Sequence, residues 1–249
     1  MNVRKKVSEA EWLARQDLAA FYRLVASYGW DDLLLAHLSC RVPGEEAYLI
    51  NPFGLLFEEI TASNLLKVDY NGQKLLDSEY DISPEANVIH GALLTARTDI
   101  NSVAHVHTIE GTAIASRVEG LRNISQQSMI VAGSLAYHDY EGVVLDPAEA
   151  PRLAADLGEA RHMILRNHGL LTVGATVSQT FQALYNLQRA CEVQVAAESG
   201  DAPLIHISDK VMEKTLAMFA AGTGTPPAQD LLWEAVLRRL ERTQPDYRD

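Results

Sequence analysis

Short apolar stretches ended by turn residues alternate along this chain with longer segments of helical period, and that mixture restricts it to helices layered on a sheet. Ser8 and Glu11 mark a helix start, Ala14, Leu18, Phe21, Val25 and Tyr28 form its apolar stripe, and Gly29 ends it. Residues 33–42 and 47–50 read as strands around the turn Pro43-Gly44-Glu45-Glu46, and 65–68 and 74–76 as strands around Asn71-Gly72. Ser83-Pro84-Glu85 caps a second helix that runs to about residue 97. Further strands are expected at 102–108, 129–131, 163–165 and 172–173, and a long helix at 176–197. Two more helices follow, from Ser208 and from Asp230, separated by a Gly- and Pro-rich connector over 221–228. The expected fold is one α/β domain over residues 1–249 with a substantially antiparallel sheet, in which 222–249 form a C-terminal connector and helix.

Charge excludes several partners. The chain carries 21 Lys+Arg against 33 Asp+Glu, a net charge of -12, with no basic run to offset it, so neither nucleic acid nor an acidic membrane surface is an expected partner. No apolar run approaches the roughly 20 residues of a membrane helix. The basic Arg4-Lys5-Lys6 leads into Ser8-Glu9-Ala10-Glu11 rather than an apolar leader, which gives a cytoplasmic address as the expectation. Cys40 and Cys191 stand alone and read as packed thiols.

The sharpest local signal is Val103-Ala104-His105-Val106-His107. Alternate side chains of a strand share a face, so His105 and His107 project together. Two converging imidazoles suit a divalent metal; two hydrogen-bonded histidines without metal are the other reading. His168, in Arg166-Asn167-His168-Gly169 directly after an apolar strand, is a third candidate, and three histidines with an open position make a catalytic site rather than a structural one. Sequence patterns for zinc proteases, serine hydrolases, dinucleotides and phosphate-cradling loops are missing. His37, His90 and His138 are secondary candidates, either for lining a pocket or for packing, and His162 and His206 show no constellation. Tyr137 and Glu141 are candidate substrate contacts, and the glycine of Asn51-Pro52-Phe53-Gly54 would let backbone approach a ligand.

Four segments together, His105-Val106-His107, residues 166–171 (RNHGLL), residues 51–61 (NPFGLLFEEIT) and Tyr137-His138-Asp139-Tyr140, resemble the class II aldolase/adducin family over most of the chain. The resemblance implies a three-layer α/β/α sandwich around a mixed, largely antiparallel sheet, assembled as a homotetramer. It also implies a divalent ion, zinc first and manganese, cobalt or iron otherwise, on His105, His107 and His168. The family's glutamate closes a Pro-Ser-Ser-Glu run; here Ser83-Pro84-Glu85-Ala86 displaces the acid by one position, about 100° of helical rotation. Glu85 and His90 are the expected proton-handling residues, with an acid placed to suit the helix dipole as the plainer reading of Glu85. The paired serines that hold phosphate in the sugar-phosphate aldolases are missing, so an unphosphorylated, oxygenated or carboxylated small molecule is expected. The tyrosine those enzymes lend across a subunit interface has no counterpart, Gln126-Gln127 lying near its place. The expected activity is metal-dependent carbon–carbon cleavage, by aldol cleavage or decarboxylation. A non-catalytic adducin-like module, or an isomerase or oxygenase on the same scaffold, are the alternatives. Adducins carry a long extension with a basic end, whereas this sequence stops at Asp249 without one.

Overall fold

The first helix, α1 (Glu9–Tyr28), starts where Ser8 accepts a hydrogen bond from the Glu11 amide and stops at Gly29, whose φ of 67° is the left-handed cap that glycine takes without strain. This computed structural model describes residues 3–143, 146, 148–221 and 229–249. After α1 come β1 (His37–Arg41), β2 (Tyr48–Ile50), β3 (Leu66–Val68), α2 (Pro84–Ala96) and β4 (Ser102–Val106). They are followed by α3 (Ile109–Ala115), α4 (Gln126–Ala132), β5 (Leu135–His138), α5 (Ala150–Leu157), β6 (His162–Leu165) and β7 (Gly169–Gly174). The helices α6 (Val177–Ala197), α7 (Asp209–Ala220) and α8 (Gln229–Thr243) complete the α-helices and strands of the described residues, and a short 3-10 turn, Pro245–Arg248, follows.

The strands make one sheet in the order β3-β2-β1-β4-β7-β6-β5, antiparallel throughout except for the parallel β5–β6 pair. Strand alternation sorts the core into two layers. Val103, Met163, Leu171 and Val173 pack on one side with Ile89 and Leu93 of α2 and Leu153 and Leu157 of α5. Ala104, Val106, Ile164 and Leu170 pack on the other with Leu18 and Phe21 of α1, Phe181 and Leu184 of α6 and Trp233 of α8. This is the α/β/α sandwich around a mixed, largely antiparallel sheet.

Several local expectations are corrected. Residues 129–131 are helical, inside α4, where Ser125 accepts from the Ser128 amide and tips a short apolar run toward helix. The strand expected from residue 33 begins only at His37, because Leu33 sits at a left-handed φ of 50° and a turn intervenes. Residues 74–76 form no strand; Lys74 makes only an isolated bridge to Val68. From residue 222 on, the expected connector lies outside the described residues.

Candidate metal centre

His105 is the penultimate residue of β4, and His107 lies just past its end on the same face. His168 sits in the tight turn between β6 and β7, presented by Asn167 at a left-handed φ of 55°. The antiparallel β4–β7 register, with His105 opposite Leu171 and Val106 opposite Leu170, brings that turn beside the end of β4. Gly169 makes the approach close enough: a Cβ there would lie 2.5 Å from the Val106 carbonyl and 2.9 Å from the His107 ring.

The three Nε2 atoms converge. His105 and His107 are 2.8 Å apart, His107 and His168 2.9 Å, and His105 and His168 3.2 Å. Neighbouring groups set the state of two of these nitrogens. His105 Nδ1 lies 3.0 Å from the Leu170 carbonyl and His107 Nδ1 3.1 Å from an Asp32 carboxylate oxygen. Both partners accept only, so each Nδ1 carries the proton and each Nε2 offers a bare lone pair. Lone pairs facing each other at this range repel, and a cation between them turns repulsion into coordination. A tetrahedral ion with Zn–N bonds of about 2.0–2.1 Å needs its nitrogens about 3.3 Å apart, close to the observed spacing. The donor set therefore fits a divalent metal.

Burial favours the neutral, coordinating form of His105 and of His168. It pushes His105 well below the usual imidazole value, with repulsion from His107, His168 and His37 adding to it, and it brings His168 down to about 4 with help from His107 and His138. The Thr112 hydroxyl donates to the His168 carbonyl at 2.9 Å and steadies the turn.

The triad opens into a cleft of about 730 Å³ whose walls include His37, Ser83, Glu85, Asn167 and Tyr140. Glu85, in the first turn of α2, faces this space and accepts a hydrogen bond of 2.5 Å from Ser83 Oγ. His90 is one step removed. It is fully buried on α2, between Ser39 Oγ at 2.5 Å and His37 Nδ1 at 2.8 Å, and His37 stands on the cleft wall as the cross-strand neighbour of His105. Burial drops His90 to about 3 and His37 well below its usual value, the latter with repulsion from His90, His107 and His168.

The remaining candidates separate. His138 is buried at the end of β5, between Asp156 at 2.6 Å and Glu149 at 3.3 Å, in a small recess that His168 also borders. Tyr137 accepts the Leu121 amide and lies under the Arg166 guanidinium, and Glu141 pairs with Arg152. These contacts tie Tyr137 into the local packing and hold Glu141 in a surface ion pair. His162 bonds to Ser134, and His206 meets Arg122. Cys40 and Cys191 are buried, which raises both thiols and keeps them protonated. Sequence reasoning missed Asp32 and Thr112, which no motif marks and which lie 75 and 56 residues from the groups they hold.

The layering, strand order and histidine cluster together define a class II aldolase fold. A crystal structure of an aldolase II superfamily protein from Pseudomonas syringae superposes with a TM-score of 0.93 at 46% identity, covering 99% of each chain. An L-fuculose 1-phosphate aldolase from Glaciozyma antarctica gives 0.82 at 26% identity, covering 97% of this chain and 93% of its own. The chain belongs to the class II aldolase and adducin family, with residues 16–195 matching the domain described as the Class II Aldolase and Adducin N-terminal domain. A Pseudomonas aeruginosa protein that carries a class 2 aldolase name is 51% identical over 99% of this chain and 96% of its own. Alpha-adducin of Rattus norvegicus is 36% identical over 94% of this chain, which spans only 34% of that protein. Metal-dependent lyases are typical of the family.

Proposed function

We propose that this protein is a metal-dependent carbon–carbon lyase that cleaves a small, unphosphorylated, oxygenated or carboxylated molecule by aldol cleavage or decarboxylation, with His105, His107 and His168 as the metal ligands. The observation that carries the reading is the set of three Nε2 atoms 2.8–3.2 Å apart at the wall of a cleft of about 730 Å³. A divalent ion held there, zinc by preference for three imidazoles, supplies Lewis-acid stabilisation of the enolate charge that bond cleavage leaves on a substrate oxygen.

The chain's own groups do the rest. Glu85 is the proposed general acid/base: its carboxylate faces the cleft, and the Ser83 hydroxyl orients it. His90 acts through His37, which it holds by the 2.8 Å contact, and Ser39 fixes the far side of His90. Pro84 and Glu85 stand where paired serines would hold a phosphate, which supports an unphosphorylated substrate. The proposal includes a homotetramer in the cytoplasm; no helix of the described residues is long and apolar enough to cross a membrane.

The test is a proton-NMR screen of zinc-loaded protein against unphosphorylated β-hydroxy carbonyl compounds and β-carboxy ketones or phenols, following the released aldehyde or the decarboxylated product. Turnover should vanish in His105→Ala and fall by about 10²–10⁴ in Glu85→Gln. A metal-replete protein that turns over none of them would favour the adducin-like, non-catalytic reading instead.

A further inference from the structure

We infer that the cleft takes a substrate with two unlike ends: an oxygen-bearing head at the histidine triad and an apolar, uncharged tail along the outer walls. This rests on the metal-centre reading above and goes beyond it by fixing the chemistry of the part that does not react.

The walls beyond the histidines are hydrophobic and come from separate parts of the chain: Leu34 and Leu35 before β1, Phe53 after β2, Ile89 on α2, Ile109 at the start of α3 and Val143 after β5. Large apolar side chains are expensive to leave in water, yet Leu35 is 59% exposed, Phe53 46%, Val143 66% and Ile109 84%, all bordering one opening. Scattered single exposures need no explanation; four around one mouth mark a surface awaiting an apolar ligand.

Charge points the same way. Among the described residues no lysine or arginine lines the cleft, while Asp32 and Glu85 both do. A phosphate or carboxylate tail would meet two carboxylates and no cation, in a chain of net charge -12. The start of α2 gives such a tail no substitute. Pro84 has no N–H, the Ala86 amide is capped by Ser83, and the Glu85 carboxylate already occupies that first turn. The volume of about 730 Å³ exceeds what a two- or three-carbon head needs and leaves room for a ring or an alkyl chain.

Three hydroxamates with the same chelating head test this by calorimetric titration of the zinc-loaded protein: acetohydroxamate, hexanohydroxamate and succinate monohydroxamate. A buried methylene is worth about fourfold in affinity, so burial of two or three of its four extra methylenes should make hexanohydroxamate bind on the order of tenfold to hundredfold more tightly than acetohydroxamate. Succinate monohydroxamate should bind no better than acetohydroxamate. In the doubly substituted Leu35→Ser, Phe53→Ser protein the hexano-to-aceto ratio should fall toward one, and Ile109→Arg should raise the affinity of the succinate probe. Both substitution sets lie at exposed positions, so folding is spared. Acetohydroxamate binding without any gain from the longer chain, or a preference for the anionic tail, overturns the inference and leaves the metal centre standing; a second copy covering the rim would give the first of these results. Failure of all three probes to bind overturns the metal centre and the inference together.

Discussion

Asp32 is the most informative residue to change, because its carboxylate bears on the proposed metal through His107 rather than as a ligand. Its carboxylate oxygen lies 3.1 Å from His107 Nδ1 and holds the tautomer that leaves Nε2 free to coordinate. Carboxylates in this position typically contribute 10- to 100-fold to metal affinity, or about 1.4–2.7 kcal/mol. The Asp32 side chain is 40% exposed, so solvent screening places the expected loss toward the lower end. Two substitutions split the effect. Asp32→Asn keeps an oxygen that can accept from Nδ1 and removes only the charge; Asp32→Ala removes both, and leaves the ring free to turn. Zinc affinity, measured by competition with a chromophoric chelator at pH 7.5, should fall a few-fold in Asp32→Asn and about tenfold or more in Asp32→Ala. The thermal midpoint of the metal-free protein should change little. Unchanged affinity in both variants would refute the argument that the His107 tautomer is set by Asp32.

Three other perturbations have definite expected outcomes. Gly169→Ala places a Cβ 2.5 Å from a backbone carbonyl that has nowhere to move and 2.9 Å from the His107 ring; zinc affinity should fall at least tenfold and the thermal midpoint should drop, and a well-folded variant with wild-type affinity would contradict the close approach. Glu11→Ala removes the buried carboxylate that pairs with Arg15 at 2.9 Å and Lys67 at 2.8 Å, and urea unfolding should show a loss of about 3–5 kcal/mol. His162 is held neutral by burial, with a folded value of about 4 against the ordinary 6.5. The unfolded chain takes up this proton first as pH falls, so the contribution is complete above pH 6.5 and is lost between 6.5 and 4, by roughly 3 kcal/mol. His162→Gln should flatten the urea-derived stability profile across that window, and an unchanged slope would show that the ring is not held neutral.

Much of the fold is legible in the sequence because periodicity and caps are local. Ser8 and Gly29 bound α1, Thr176 begins the long α6 and Ser83-Pro84 begins α2 by the same short-range chemistry that marks them in the sequence. The elements that escaped have weak or ambiguous local signals. The four residues of β5 acquire strand geometry by pairing in parallel with β6, and the apolar Met129-Ile130-Val131 run fits helix or strand until the Ser125 cap decides it. The site divides along the same line. The His105–His107 spacing on a strand is visible in five residues, whereas Asp32, His37 and the apolar rim reach the cleft only through tertiary packing. His90 shows the limit from the other side: its place on α2 is readable, but that His37 stands between it and the cleft depends on the β1–β4 register.

X-ray absorption spectroscopy of the zinc-loaded protein decides whether three imidazoles hold one ion that a small molecule can reach. Three imidazole scatterers with nitrogen at about 2.0–2.1 Å and an oxygen ligand that acetohydroxamate displaces are expected. Sulfur at about 2.3 Å, or fewer than two imidazoles around the zinc, would contradict this assignment.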